Sequence, residues 1–279
     1  MNNLPLSVWG FAISRNKIDQ DTESYLIRLP EDLPKLSWIW SEMDRIWDIL
    51  GLDNLKPIGT QPIDAFYSHP VWLMNGIFTA VDPVSVKHRL AIANYLINLK
   101  IYEVADYGGG FGELALAINK LSPITKISII EPYPTKLGFD RVKRFATITI
   151  KPDIEPYYDA IVAQDVLEHV EDPINLAHRI GSSVKMDGIV VFANCFSPVI
   201  KCHLPATFHL RHTFTFVMKA MGFKYLGRVP GARHAMIYQR SGTLNLSDAR
   251  SAEMLSRFIG PFLNFCIYPF ELIKKMFSS

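Results

Sequence analysis

Between about residue 100 and residue 240, short runs of β-branched and apolar residues alternate with segments in which apolar residues recur at helical spacing. This alternation is typical of βαβ units built on a mostly parallel sheet. The predicted strands are Glu103–Asp106, Lys126–Ile130, Thr147–Ile150, Asp159–Ala163, Gly188–Ala193, Tyr225–Val229 and His234–Gln239. The predicted helices include Leu114–Leu121, Asn175–Val184 and Thr213–Met221. The central part of the chain is therefore expected to be an α/β domain.

The first hundred residues have a helical pattern, and all five tryptophans of the chain fall within them. Asp82 and Pro83 favour a helix start, because Asp can cap the first turn and Pro is accepted at the first helical position. We expect a helical, tryptophan-rich cap over residues 1–85, a central domain over 86–240 and a C-terminal helical extension over 241–279. The cap can pack on the sheet domain only, or also roof a substrate pocket.

The C-terminal extension is rich in aromatic residues and ends in two lysines. Pro261 and Pro269 are expected to break it into short helices. We favour packing of its aromatic residues onto the domain or onto a partner copy, with peripheral contact to a membrane surface as the alternative. The residues concerned are Phe258, Phe262, Phe265, Tyr268, Phe270, Phe277, Lys274 and Lys275.

Composition restricts the class of protein. The chain has 279 residues, of which 49% are hydrophobic and 20% charged, so it can bury a large core and is not disordered. The formal net charge of +2 gives no global field that would draw the chain to nucleic acid, and we expect no nucleic-acid partner. The pattern does not decide the oligomeric state.

Compartment signals are few. Cys195, Cys202 and Cys266 form no C-x-x-C pair, which argues against a disulfide framework and a structural zinc site. No basic residue precedes the apolar stretch from Leu4 to Ile13, unlike in a secretory signal. The sequence contains no run of about 18 apolar residues free of charge and proline, so we predict no membrane-spanning helix. We expect a cytoplasmic protein, with the inner face of a membrane as a second location.

The most informative segment is VADYGGGFGE, residues 104–113, where a strand is predicted to end and a helix to begin. A glycine-rich turn there lets the backbone approach a ligand and directs helix N-terminal amides at it. The dinucleotide fingerprint G-x-G-x-x-G would require glycine where Glu113 stands. The segment instead matches acidic-x-G-x-G-x-G, at Asp106, Gly108, Gly110 and Gly112.

Two further features follow in the chain. Glu131 ends the predicted second strand roughly twenty residues after the loop, the separation at which related nucleotide folds place a ribose-binding carboxylate. Residues 158–173, YDAIVAQDVLEHVEDP, contain the predicted fourth strand and the segment after it, and Asp187 and Gly188 come before the predicted fifth strand.

With these three features in this order, residues 100–240 resemble the class I methyltransferases that use S-adenosylmethionine. The resemblance implies a Rossmann-like sheet, mostly parallel with the last strand antiparallel. It also implies that Asp106 and the loop hold the methionyl part of the cofactor, that Glu131 binds the ribose hydroxyls, and that Asp153 is a weaker candidate at the adenine edge. The expected cofactor-binding residues are Asp106, Tyr107, Gly108, Gly110, Gly112, Glu131, Pro132, Tyr133, Gln164 and Asp165.

Histidines follow the predicted fifth strand. The H-L-R-x-x-T pattern that starts at His209 is similar to one that lies at the substrate mouth in relatives acting on sugars and small metabolites. The similarity implies His209 as the general base, with His169 as a second catalytic candidate. His203, Arg211 and His212 are then candidates for substrate binding. Local hydrogen bonding before the next helix is the alternative for any of these histidines.

Asp165, Glu168 and His169 would share one helical face if the helix began early. Some relatives that methylate quinone precursors bind magnesium through a similar acidic-x-x-E-H arrangement. We favour the interpretation in which Glu168 and His169 shape the turn beside the cofactor, so the prediction is no metal. Mg²⁺ is the less favoured option.

The expected reaction is methyl transfer from S-adenosylmethionine to a small molecule or saccharide, at an oxygen atom. No Asn-Pro-Pro-Tyr type motif follows the fourth strand, which argues against methylation of nucleic-acid or protein nitrogen. One alternative is a non-catalytic cofactor-binding or partner-binding module. The other is a nicotinamide-dependent oxidoreductase, which the glutamate at position 113 disfavours.

Overall fold

The structure, a computed structural model, describes the backbone of residues 4–276 and the side chains of residues 4–267. It begins with a hairpin of strands β1 (Leu6–Val8) and β2 (Phe11–Ile13). Trp9 and Gly10 take φ values of 51° and 83°, the conformation of a two-residue hairpin turn. The N-terminal region, predicted as a helical cap, therefore also contains a two-stranded hairpin, because this turn and not a periodic pattern sets the local structure.

Five helices follow this hairpin; the first four contribute to the buried core of the cap, and the fifth packs on the central domain. They are α1 (Gln20–Ile27), α2 (Leu36–Ile49), α3 (Thr60–Tyr67), α4 (Pro70–Val81) and α5 (Pro83–Asn98). Helix α5 starts as predicted, because the Asp82 carboxylate accepts a hydrogen bond of 2.7 Å from the Ser85 amide. Helix α2 shows one apolar face, since its buried residues are Ile39, Met43, Ile46 and Trp47.

A seven-stranded sheet forms the centre of the molecule. Its strands are β3 (Glu103–Tyr107), β4 (Lys126–Ile130), β5 (Ile148–Lys151), β6 (Tyr158–Gln164), β7 (Val184–Ala193), β8 (Phe223–Val229) and β9 (Ala232–Arg240). The order is β5-β4-β3-β6-β7-β9-β8, and β9 alone in this sheet runs antiparallel to its neighbours. The predicted fold class, a mostly parallel sheet with an antiparallel last strand, is confirmed.

Helices cover both faces of this sheet. The remaining ones are α6 (Glu113–Leu121), α7 (Lys136–Val142), α8 (Pro173–Ser182), α9 (Phe214–Met221) and α10 (Leu246–Met276). Buried residues of α5 and α6 pack on one face, and those of α8, α9 and the start of α10 pack on the other. Along β6, Ala160 and Val162 face the first layer while Ile161 and Ala163 face the second. Both faces of the parallel strands are therefore buried, as their apolar sequences require.

One predicted turn lies inside a strand. Strand β7 begins at Val184 and not at Gly188, and its pairing with β6 shifts between the Tyr158–Val184 and Ala160–Ile189 pairs. Asp187, with φ of 61°, lies in the extra length of β7. The Asp187-Gly188 pair is thus a β-bulge, because an inserted residue bends a strand without ending it.

Helix α10 runs through Pro261 and Pro269, so the prediction that these prolines break the extension is wrong. Contacts hold the helix on both sides of Pro261: Gly260 packs on the backbone of His209, and the Asn264 amide donates to the Phe208 carbonyl at 3.1 Å. No helix among the described residues is long and apolar enough to cross a membrane. The described side chains do not include five of the predicted interfacial residues: Tyr268, Phe270, Lys274, Lys275 and Phe277.

Candidate cofactor and acceptor site

The glycine-rich loop joins β3 to α6 in a left-handed backbone path. Gly110 and Gly112 have φ values of 48° and 76°. A Cβ at Gly112 would come within 2.9 Å of side-chain atoms of Ile129 and Val142, so glycine is needed for the loop to approach β4. At Gly110 no atom lies within 4 Å of the Cβ position. The loop therefore leaves open space above Gly110, where a ligand can approach the backbone.

Asp106 closes the end of β3 beneath this loop. Its carboxyl is buried, at 3% exposure, and Oδ2 has no hydrogen-bond partner among the described residues. Burial, and then the negative charge of Glu131, raise the pKa of Asp106 to about 7, while Arg89 acts in the opposite direction. A buried acceptor without a donor is rare in native proteins. Asp106 therefore fits a ligand that brings a hydrogen-bond donor or a positive charge.

Glu131 links the loop to the end of β4. One carboxylate oxygen accepts from the Gly110 amide at 2.9 Å and the other from the Tyr133 amide at 3.0 Å. Each oxygen keeps lone-pair capacity for a further donor. The Tyr133 ring stacks on Tyr67 of α3 at 5.5 Å, and its hydroxyl donates to Asp64. The structure thus connects the predicted ribose carboxylate to both the loop and the cap.

The other predicted cofactor residues lie around the same strand ends. Gln164 ends β6, and Asp165 follows with φ of 49°. Tyr107 ends β3, with its hydroxyl 3.5 Å from the Arg179 guanidinium. Pro132 is exposed beside Glu131. Asp153, the weaker adenine-edge candidate, forms an ion pair with Arg179 and is largely exposed.

The segment after β6 does not form the early helix considered from the sequence. A short 3-10 helix spans Leu167–His169, and α8 starts only at Pro173, so the idea of one shared helical face is wrong. The left-handed backbone at Asp165 redirects the chain at this point. The resulting turn directs the Glu168 side chain inward.

Glu168 is fully buried in this turn. Its Oε1 accepts a hydrogen bond of 2.6 Å from the Cys195 amide, and its Oε2 has no hydrogen-bond partner within the described part of the chain. Burial and the neighbouring Asp165 raise the pKa of Glu168 well above its usual range. The turn after β6 thereby joins the segment after β7 through a carboxyl that still has one acceptor atom to satisfy.

His169 lies between this turn and the aromatic cap. Its Nδ1 is 3.0 Å from the Cys202 carbonyl, and its ring stands edge-on to those of Trp72 and His203 at 5.9 and 4.9 Å. Burial, with His203 nearby, lowers the pKa of His169 to about 3, so the ring is neutral at pH 7. It borders a cavity of about 130 Å³, whose other lining residues are Trp47, Ile58, Ile63, Tyr67, Glu171, Cys202 and Leu204.

Sequence reasoning missed two polar residues in this region. Both amide atoms of Asn194 and Nε1 of Trp72 are buried without a hydrogen-bond partner in residues 4–267. Asn194 directly follows β7, next to the Cys195 amide that holds Glu168. Neither residue belongs to a motif. The one available signal for Asn194 was its position at the carboxyl end of a parallel strand, where open α/β sheets bind ligands.

His209 lies beneath α10. Its Nε2 is 3.4 Å from the Glu253 carboxylate, which also pairs with Arg250 at 2.7 Å and Arg257 at 3.0 Å. Burial alone would raise the pKa of Glu253, but the neighbouring His209, Arg250 and Arg257 lower it to about 2. His209 does not border the 130 Å³ cavity. Its role as base stays a prediction, as do the substrate contacts of Arg211 and His212, which follow it half-buried.

Comparison with known proteins agrees with this geometry. Residues 80–236, more than half of the chain, match the family model described as a methyltransferase domain. No curated protein matches the sequence. The chain is similar in fold to the crystal structure of TnmH, with 16% identity, 76% of this chain and 74% of that chain covered, and a TM-score of 0.51.

Two other solved structures are similar at lower TM-scores. The mitomycin 7-O-methyltransferase MmcR is 16% identical over 70% of this chain and 74% of its own, with a TM-score of 0.46. The CurJ carbon methyltransferase is 13% identical over 82% of this chain and 73% of its own, also with a TM-score of 0.46. By its family match, the chain belongs to the methyltransferase domain family, and it is an S-adenosylmethionine-dependent methyltransferase of class I.

Proposed function

We propose that this enzyme transfers a methyl group from S-adenosylmethionine to an oxygen of a small molecule or saccharide held beneath the cap. The observation that carries the proposal is the adjacency of two features at one edge of the sheet. The first is the open glycine loop over the unsatisfied Asp106 carboxyl. The second is the cavity between His169 and the aromatic cap, beside Trp72, whose Nε1 has no hydrogen-bond partner in the described residues.

The residues present fit the cofactor. An ammonium group of a methionyl moiety would satisfy the buried Asp106 oxygen, and Glu131 has acceptor capacity for two ribose hydroxyls. The open space at Gly110 allows close approach to the loop. S-adenosylmethionine supplies a methyl group that is already activated by its positively charged sulfur.

The protein's part in this reaction is chiefly positioning. Methyl transfer is an in-line displacement, so the acceptor atom must lie on the axis of the breaking bond. We propose that His169, which lines the cavity, orients the acceptor together with Trp72, whose ring lies 5.9 Å from that of His169. We assign Asn194 to the same task because its amide atoms are buried without a partner in the described residues at the carboxyl end of β7. His209, paired with Glu253 under α10, is less suited to this work. The aromatic rings of the cap would exclude water from the reacting atoms.

Turnover tests the proposal. Purified enzyme is incubated with S-adenosylmethionine and panels of saccharides and phenolic metabolites, and S-adenosylhomocysteine formation is followed together with the mass of the acceptor. We expect an acceptor-dependent gain of one methyl group. Asn194→Ala should raise KM for the acceptor with unchanged S-adenosylhomocysteine affinity, whereas Asp106→Asn should weaken cofactor binding itself.

Two outcomes would contradict the proposal. A methylated carbon or nitrogen in the product would refute the oxygen acceptor but not the class of enzyme. Cofactor binding with no turnover on any acceptor class would favour a non-catalytic binding module.

A further inference from the structure

Two histidines and one carboxyl meet beneath the cap from two separate segments of the chain. Glu168 and His169 belong to the turn after β6, and His203 belongs to the segment after β7. One ligand atom from each of the three lies within 4.8 Å of the others. We propose that these residues form a binding site for a divalent transition-metal ion such as Zn²⁺ or Fe²⁺.

Backbone carbonyls fix one ring nitrogen of each imidazole in the group. Nδ1 of His169 lies 3.0 Å from the Cys202 carbonyl, and Nδ1 of His203 lies 3.0 Å from the Ser197 carbonyl. A carbonyl can only accept, so each Nδ1 carries the proton and each neutral ring keeps its lone pair on Nε2. Metal-binding histidines are oriented in this way, with the second nitrogen donating to a backbone carbonyl or carboxylate.

The carboxyl of the group is buried, and one of its oxygens has no partner in the described chain. Glu168 and His203 are buried, and the interior carboxyl atom Oε2 has no hydrogen-bond partner in the described chain. The other carboxyl oxygen is fixed by the Cys195 amide at 2.6 Å. A bound cation would satisfy this oxygen and would use a carboxylate whose orientation is already set.

The donor set indicates the class of ion. Imidazole nitrogen suits zinc, iron, copper and nickel, whereas magnesium prefers oxygen ligands and water. Two histidines with one carboxylate leave coordination positions open, and His169 and His203 each border a cavity, of about 130 and about 170 Å³. The ion could therefore bind an oxygen of the acceptor. That use depends on the proposed methyl transfer, whereas metal binding itself does not.

Metal stoichiometry tests the site. Chelator-stripped wild-type enzyme is titrated with Zn²⁺ in the presence of a moderate chelator that outcompetes weak surface sites, and then analysed for bound metal. We expect one Zn²⁺ per chain and no competition from Mg²⁺. In His169→Asn and His203→Asn, the side-chain NH2 group can replace the Nδ1–H donor to the backbone carbonyl. The variants have no atom that replaces the metal-binding Nε2. Their Zn²⁺ affinity should fall by about 100-fold or more, since even outer-shell changes cost 10–100-fold.

His88→Asn is the matched control. His88 and His234 also form a close pair, at 4.5 Å between ring centroids, but this pair lies at the surface and is not part of the three-residue group. The control should bind Zn²⁺ as the wild type does. Loss of zinc in His88→Asn, full retention in both cluster variants, or no zinc in the wild type would overturn the proposal.

A second measurement covers the case in which a variant fails to fold. X-ray absorption at the zinc edge of the wild-type complex should show imidazole scattering, and a shell of oxygen ligands alone would contradict the site. Calorimetry with S-adenosylhomocysteine on the same samples separates the two proposals. Zn²⁺ binding without S-adenosylhomocysteine binding would refute the proposed function but would still support the metal site.

Discussion

Gly110 and Gly112 serve different purposes within one loop. At Gly112 the backbone passes so close to Ile129 and Val142 that a Cβ has no room, whereas the space at Gly110 is open. Gly112→Ala should therefore lower the free energy of unfolding by about 1–3 kcal/mol through overpacking and left-handed strain. Gly110→Ala should cost only about 1 kcal/mol but should weaken S-adenosylhomocysteine binding strongly, because its methyl group fills the ligand's space.

Denaturant unfolding and calorimetry on the two variants distinguish these effects. Wild-type cofactor affinity in Gly110→Ala would contradict the assignment of the open space to the ligand. Equal destabilisation of both variants would contradict the packing argument for Gly112.

Asp106 predicts a pH dependence of cofactor binding. Its pKa is raised to about 7 in the free protein, and an ammonium ligand binds the ionised form. As the pH falls below 7, a proton competes with the ligand, so the affinity for S-adenosylhomocysteine should fall by about tenfold per pH unit, the limit for one proton. Asp106→Asn should bind weakly with no such trend. A wild-type affinity that stays constant from about pH 8 to about pH 5.5 would contradict this role.

Among the elements, α10 carries an ionic cluster around the buried Glu253. Glu253 has a pKa lowered to about 2 from an ordinary value of 4.5, so its stabilisation is complete above pH 4.5 and is lost as the pH falls toward 2. Glu253→Gln should lower the unfolding free energy by about 1–3 kcal/mol and remove this acid dependence. Hydrogen exchange should rise in residues 246–264.

The matched control is Glu31→Gln, which makes the same chemical change at an exposed position outside the helices. It should leave both stability and exchange unchanged. If Glu253→Gln unfolds at the same denaturant concentration as this control, packing of apolar residues and not the cluster holds α10 to the domain.

The sequence predicted those elements whose causes are local. Apolar runs bounded by turns gave the strands of the sheet, and the Asp82-Pro83 pair gave the start of α5. The β1–β2 hairpin, the bulge at Asp187 and the passage of α10 through Pro261 were missed. Each depends on backbone conformation or on contacts between distant segments, which apolar periodicity does not encode.

The same distinction applies to the site. Asp106, the loop glycines and Glu131 follow one another at the ends of two adjacent strands, so their spacing together with the resemblance to class I methyltransferases indicated that they meet. The group of Glu168, His169 and His203 depends on how the segment after β7 folds back over the turn after β6. Asn194 belongs to no sequence motif. Interactions across irregular segments therefore had to come from the structure.

The surface of the whole molecule includes a stripe of exposed aromatic side chains along α10. Phe258, Phe262 and Phe265 are 78%, 66% and 81% exposed, so they do not pack onto the body of their own chain. Exposed apolar stripes of this kind mark interaction surfaces. We expect a concentration-dependent dimer through α10, and Phe258→Ser combined with Phe262→Ser should make the protein monomeric in light scattering. Monomeric wild-type protein that floats with anionic vesicles would instead favour the membrane interpretation.

We assign the glycine loop after β3 to an adenosyl cofactor and not to a nicotinamide one. Calorimetric titration of the wild-type enzyme with S-adenosylhomocysteine, S-adenosylmethionine and NADH in parallel, repeated on Gly110→Ala, tests this assignment directly. We predict one binding site for each adenosyl ligand, no binding of NADH, and strong weakening in the variant. Binding of NADH alone, or equal binding of the adenosyl ligands to both proteins, would contradict the assignment of this loop.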